Sequence, residues 1–200
     1  MSTKIDAARR SILLSGAASA AAWCAGVRAA DQREDLAPTR ACDEHAQATA
    51  PQMEGPFFKP RSPQRGSLVE AKLQGTHLIL SGLVLSTRCA PVPGALLDFW
   101  QCDAAGEYDN RGTRLRGHQF TDAQGRYRLV TIVPGLYPGR TRHIHVKVQA
   151  PGQPVLTTQL YFPDEPANAG DALFHADLLI RQQRQGDERI GRFDFVVRVT

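Results

Sequence analysis

Long apolar runs are scarce in this chain, cysteines number four, and most of the length has almost no net charge. Beyond the N-terminal region no stretch is long and apolar enough to cross a bilayer as a helix. The four cysteines form no Cys-x-x-Cys pair, so they read as structural rather than metal-ligating. The net charge is +4, but Lys4, Arg9, Arg10 and Arg28 face only Asp6 within residues 1–30, which places +3 of it there. The other 170 residues carry +1, too little to make an electrostatic footprint for a polyanion, and nucleic acid is excluded as a partner. There is no internal repeat and no sign of a second domain. What remains is a 200-residue chain that is 42% hydrophobic, enough for one packed domain plus a processed segment. That fraction also excludes a wholly disordered or collagen-like chain.

Residues 1–30 read as an address. A basic start ending in Arg9-Arg10 precedes an uncharged run rich in Ala, Gly and Ser from Ser11 to Val27, then Arg28-Ala29-Ala30. This is the anatomy of an export signal, with cleavage near Ala29 or Ala30. The paired arginines before a mildly hydrophobic run give it a twin-arginine character and predict a periplasmic location. An uncleaved amphipathic helix is the alternative. Residues beyond the signal keep Cys42, Cys89 and Cys102. An oxidising compartment permits one disulfide and leaves one thiol over. Cys89 and Cys102 flank a probable strand, so they are one candidate pair, and spacing alone leaves the pairing open.

Residues 31–66 mix Ala, Pro, Gln, Arg and Asp without periodicity and read as an extended arm or loop. Residues 67–200 read as an all-β sandwich of mostly antiparallel strands with little helix. Short β-branched or aromatic runs recur at 77–85, 95–101, 127–133, 143–149, 156–162 and 193–199. Turn signals such as Pro91-Val92-Pro93-Gly94, Pro134-Gly135 and Pro151-Gly152 separate them. A short helix is expected around Asp171–Gln182. Trp100 reads as core packing. His118 and His175 read as isolated surface or hydrogen-bonded groups, and Arg181, Arg184, Arg189 and Arg192 as a solvated face.

Within 143–149, period-two geometry puts His143 and His145 on one face, with Ile144, Val146 and Val148 on the other. Imidazoles rooted roughly 6–7 Å apart can converge on one metal ion; two half-exposed histidines on a sheet are the plain alternative. Upstream, Leu136–Arg140 is a turn able to fold Tyr137 over the same end of the sheet. Farther upstream, Ala105–Asp109 is a loop that carries Tyr108 away from the strand ending in Trp100-Gln101. A lone loop tyrosine is usually packing, but two phenols with two imidazoles make a hard oxygen and nitrogen set. A trivalent cation holds a phenolate well below its free pKa of about 10. Such donors suit Fe(III) better than zinc.

Taken in order, several stretches resemble the intradiol ring-cleavage dioxygenases, the family of protocatechuate and catechol dioxygenases. They are Glu-Gly-Pro-Phe-Phe (54–58), Pro-Val-Pro-Gly-Ala-Leu-Leu-Asp-Phe-Trp-Gln-Cys-Asp-Ala-Ala-Gly-Glu-Tyr (91–108) and Thr-Asp-Ala-Gln-Gly-Arg-Tyr (121–127). Pro-Gly-Leu-Tyr-Pro-Gly-Arg-Thr-Arg-His-Ile-His-Val (134–146) and Leu-Thr-Thr-Gln-Leu-Tyr-Phe (156–162) complete the set. The resemblance implies a β-sandwich that holds non-haem Fe(III) by Tyr108, Tyr137, His143 and His145. Tyr137 would be the ligand that leaves when substrate binds. It implies that Arg140 and Gln159 support negative charge on the substrate, with Arg142 an alternative to Arg140. The partners implied are a small aromatic diol and O2, and the product a cis,cis-muconate-type diacid; homo-oligomerisation is left open.

Some features depart from the family pattern. Only five residues separate Tyr137 from His143, so the pocket edge made by that loop must differ. The helical dimerisation region of the catechol enzymes has no counterpart, and export is unusual for a catabolic enzyme. Phe57 and Phe58 are expected to staple the arm to the sandwich or to roof the site. A cupin-like metalloenzyme also uses His-x-His but wants a glutamate soon after, where this chain has Val146-Lys147-Val148-Gln149. A non-catalytic transthyretin-like binding sandwich shares the turn patterns but needs no such donor set.

Overall fold

A computed structural model describes residues 36–38, 42 and 46–199. The expected export signal lies outside the described residues. Among the described residues nine strands are present: β1 (His77–Ser86), β2 (Leu96–Trp100), β3 (Arg116–Phe120), β4 (Arg126–Ile132), β5 (His143–Gln149), β6 (Leu156–Tyr161), β7 (Arg181–Gln185), β8 (Glu188–Arg192) and β9 (Phe195–Val197). They form two sheets, one in the order β4-β1-β8-β7 with β9 also on β1, the other in the order β3-β2-β5-β6. Pairing is antiparallel except where β8 and β9 run parallel to β1. The architecture is an all-β sandwich.

Alternation along the strands builds the core. Leu97 and Phe99 of β2 and Ile144, Val146 and Val148 of β5 point to one side of their sheet. They pack in one buried cluster with Leu78, Leu80, Val84, Leu129 and Phe195 from the other sheet. The Phe99 and Tyr127 rings, 5.9 Å apart, mark the contact between the two layers.

The remaining face of the second sheet carries a polar row. Register places Arg116 of β3 opposite Trp100 of β2, Trp100 opposite His145 of β5, and His145 opposite Gln159 of β6. Such a face would ordinarily be wet, yet all four of these residues are buried. An arm covers them. Thr49 N–H donates to Val196 O at 2.8 Å, Gln52 N–H to Thr157 O at 2.8 Å, and Gln159 Nε2 to Met53 O at 2.9 Å. The arm therefore runs without strand structure of its own from β9 across β6 to the middle of the sheet.

One expectation is corrected, and one pairing that the spacing left open is defined. No helix spans 171–182; Ala176–Leu178 is a single 3-10 turn and β7 begins at Arg181. Leu178 and Ile180 are both buried, a period-two placement that an α-helix would not give. Among the described residues a disulfide joins Cys42 to Cys89 with Cα atoms 5.5 Å apart, and Cys102 is the free, buried thiol. Burial pushes the Cys102 thiol up to about 11.

Candidate metal centre

His143 and His145 are 3% and 2% exposed, not the half-exposed pair of the plain alternative. Their Nε2 atoms face each other at 3.1 Å. His143 Nδ1 lies 2.7 Å from Thr141 O, a contact that only an Nδ1–H can make favourable, which leaves Nε2 as a lone pair. Burial pushes His143 down to about 4 and His145 well below the ordinary histidine value, so both rings are neutral at pH 7. His145 Nδ1 is buried without a hydrogen-bond partner among the described residues.

Tyr108 brings an oxygen to the same point, with Oη 3.3 Å from His143 Nε2. Its loop is shaped by Asp103, whose Oδ1 accepts from Ala105 and Glu107 N–H at 3.0 Å. Asp109, next along, accepts backbone N–H bonds from Arg111, Gly112 and Arg114. Those bonds, Gly112 foremost, hold its carboxyl down at about 2. Burial raises the Tyr108 phenol well above its usual value, so it would ionise only against a cation.

Tyr137 reaches the site from the next loop, its ring centroid 5.8 Å from that of Tyr108. The two tyrosine loops are built against each other. Gly135 N–H donates to Asp103 O at 2.7 Å, and a Cβ at Gly106 (φ +88°) would stand 2.2 Å from Leu136 O. Only glycine permits that approach. Tyr137 is half-buried and Leu136, Pro138 and Gly139 are exposed, so this side of the centre faces solvent.

Aromatic rings close the other sides. Phe57 of the arm stacks on Tyr108 at 4.2 Å and meets Tyr137 edge-on at 5.4 Å. Phe58 packs on Trp100 at 4.9 Å, under Lys147, whose ammonium lies 3.6 Å from the Phe58 ring centroid and also pairs with Glu54. Trp100 stacks flat on His145 at 4.8 Å. It is buried as expected, but in this aromatic cluster beside the site rather than between the sheets. Gly55 sits over His145, where an added Cβ would come to 3.3 Å from Cε1.

Arg140 lies on the same face. Its Nη2 donates to Gln159 Oε1 at 2.7 Å and to Tyr161 Oη at 3.3 Å. Arg142 turns away, donating to Glu165 and, at 2.6 Å, to Pro134 O. The structure thus brings Tyr108, Tyr137, His143, His145, Arg140 and Gln159 together and leaves Arg142 outside. His118 bonds to Ser62 and His175 caps a turn at Asp177 N–H, both away from the centre. Sequence reasoning missed Arg116, 2% exposed behind Tyr108, which donates to Asp109 O at 3.1 Å. Its Nη1 has no partner among the described residues.

Comparison with known proteins decides what this arrangement belongs to. The dioxygenase family model matches residues 53–198. The chain belongs to the intradiol ring-cleavage dioxygenase family. Among solved structures it is similar to the dioxygenase domain of a dioxygenase and carbohydrate-binding fusion from the cellulolytic bacterium Streptomyces sp. SirexAA-E. That match has a TM-score of 0.75 and 59% identity, covering 77% of this chain and all of that one. Catechol 1,2-dioxygenase from Candida albicans is 30% identical over 66% of this chain and 52% of its own. The protocatechuate 3,4-dioxygenase beta chain from Burkholderia cepacia is 37% identical over half of each. The chain thus spans about half the length of these two curated relatives.

The family depends on non-haem iron(III). The residues present fit such an ion. Two neutral imidazole nitrogens and a phenol oxygen converge within 3.3 Å of their neighbours in a buried site, and between the two facing Nε2 atoms only one proton can be shared. No group of three or more His, Cys, Asp or Glu able to hold a metal occurs among the described residues, so a metal here requires the phenols.

Proposed function

We propose that this family member is an Fe(III)-dependent intradiol dioxygenase. It opens the ring of a catechol-type diol between the two hydroxyl-bearing carbons, using O2, and gives a cis,cis-muconate-type diacid. The observation that carries the reading is the meeting of Tyr108 Oη, His143 Nε2 and His145 Nε2, at 3.3 and 3.1 Å, under an aromatic roof. When bound, iron(III) supplies Lewis acidity and a template for the diol and O2. Tyr108, Tyr137, His143 and His145 are the residues that would hold it.

Each residue has a physical task. His143 is locked by its Nδ1 bond to Thr141 O, which orients the ligating nitrogen. Tyr137 stands on a half-exposed turn, so, held as a phenolate by the ion, it could withdraw and accept a diol proton at Oη, becoming a neutral phenol. Arg140 and Gln159, bonded to each other, supply positive charge and a polar partner for anionic substrate oxygens. Phe57 and Phe58 keep water from the buried side of the centre. A transthyretin-like binding sandwich gains nothing from burying this donor set, and a cupin-like site lacks its glutamate.

The chain also reads as exported. Supporting this are Arg9-Arg10 before the mild apolar run and the Cys42–Cys89 disulfide, which belongs to an oxidising compartment. The catalytic reading is tested with iron-loaded protein in an oxygen electrode. Catechol, protocatechuate and hydroxyquinol are each offered, and ring-opened diacid is followed by its ultraviolet absorption. Stoichiometric O2 uptake with diacid formation on at least one diol is expected. Iron-replete protein inert to all three would contradict the proposal.

A further inference from the structure

Beyond the residues the family resemblance assigns, the geometry points to Asp171 as the positioning residue of Arg140. The inference rests on the role given to Arg140 under the proposed function. Asp171 lies between two 3-10 turns, Pro166–Gly170 and Ala176–Leu178, in a segment that carries no donor to the centre. Its side chain is 2% exposed. A carboxylate buried so deeply is costly unless hydrogen bonds reach its oxygens, and here four contacts do. Arg140 Nε lies 3.1 Å from Oδ1 and 2.9 Å from Oδ2, Thr141 N–H donates to Oδ2 at 2.9 Å, and Leu173 N–H donates to Oδ1 at 2.8 Å.

These contacts determine how Arg140 stands. A guanidinium is planar, and holding two of its edges fixes the third. Asp171 takes Nε, while Gln159 and Tyr161 take Nη2. Nη1 has no partner among the described residues and is the edge left to meet substrate charge. Gln159 and Tyr161 are themselves opposite His145 and His143 on β6, so the clamp sets the arginine in register with the donors. The segment around Asp171 is braced toward the same point. Thr141 Oγ1 donates to Asn168 Oδ1 at 2.7 Å, Asn168 Nδ2 to Phe162 O at 2.9 Å, and Tyr161 Oη to Leu173 O at 2.7 Å. The 166–174 segment therefore acts as a buttress for one arginine, reaching a side chain that a five-residue loop could not hold alone.

The test is a double-mutant cycle on iron-loaded protein with Asp171→Asn, Asp171→Glu, Arg140→Ala and Asp171→Asn/Arg140→Ala. Iron content, the visible band, anaerobic diol affinity from titration of that band, and kcat/KM are read for each. Expected is a loss of kcat/KM on the order of 10-fold to 100-fold in D171N, the scale of a misplaced catalytic group, with iron content and colour retained. The double variant should be no slower than R140A alone, and D171E should recover part of the loss. Effects that multiply in the double variant would overturn the inference, as would D171N at wild-type kcat/KM beside a slow R140A. A D171N protein that does not fold where R140A does would make Asp171 a stability residue only and overturn it equally. R140A at wild-type kcat/KM would instead bring down the role given to Arg140, and this inference with it.

Discussion

In the sheet β4-β1-β8-β7, the side facing its partner is filled by Leu78, Leu80, Val84 and Leu129. In the sheet β3-β2-β5-β6, one face does the same work with Leu97, Phe99, Ile144 and Val146, but the other face is buried as well, and what it buries is Arg116, His143, His145 and Gln159. Burying a leucine or phenylalanine contributes roughly 1.5–3 kcal/mol, whereas an unpartnered polar group costs about 1–3 kcal/mol. The first sheet and the inner face of the second hold the fold. The roofed face spends part of that stability to keep neutral imidazoles, a phenol and a guanidinium dry around one point.

That division predicts opposite consequences for changes on the two sides. The largest effect is expected from His143→Ala or Tyr137→Phe in the donor set. H143A should lose the tyrosinate band and O2 uptake together, and Y137F should weaken the band and abolish uptake, with thermal unfolding little changed. Unaltered iron content and uptake in both variants would break the comparison. Next comes Leu80→Ala in the first sheet, expected to lower stability by about 2–5 kcal/mol in denaturant unfolding. The folded fraction should keep its colour. Phe57→Ala removes the ring stacked on Tyr108 and should cost about 1 kcal/mol of stability while weakening the band, because water then reaches the phenol. A large stability loss with intact colour would move Phe57 to the structural side.

The smallest effect is a pH dependence. In the folded chain burial pushes His143 down to about 4 and His145 well below the ordinary histidine value, against about 6.5 when unfolded. Between these values the unfolded chain binds more protons, so stability rises with pH there and is lost as pH falls from about 6.5 toward 4. Iron-free protein unfolded in buffers across that window should show this slope, and His145→Gln should flatten it. An equal slope in the variant would place its origin elsewhere; Asp98 works against it, because burial raises its carboxyl and the folded chain then holds that proton more tightly than the unfolded one.

Much of this was legible in the sequence where alternation is clean. His143-Ile144-His145-Val146 declares a strand and a shared histidine face without further help. β3 was missed because Arg116-Gly117-His118-Gln119-Phe120 has no apolar alternation, its inner position being a glycine where a Cβ would meet Leu68 at 2.7 Å. The β7–β8 hairpin was missed because Arg181-Gln182-Gln183-Arg184-Gln185 is an edge strand without an apolar face. Tyr108 and Tyr137 could be named from the family resemblance, but their meeting depends on the Gly106 contact with Leu136, a tertiary fact. Asp171 had only a faint local signal, an Asp two residues before the N–H it accepts, and it fell inside an expected helix. Arg116 gave none, because a single arginine in a polar strand ordinarily faces water.

The claim on which all of this turns is that Tyr108, Tyr137, His143 and His145 share one ferric ion. Its most direct test is the visible spectrum of the protein titrated with iron(III). The account predicts a red-brown tyrosinate charge-transfer band that saturates at one iron per chain. Iron taken up at that ratio with no such band would contradict it.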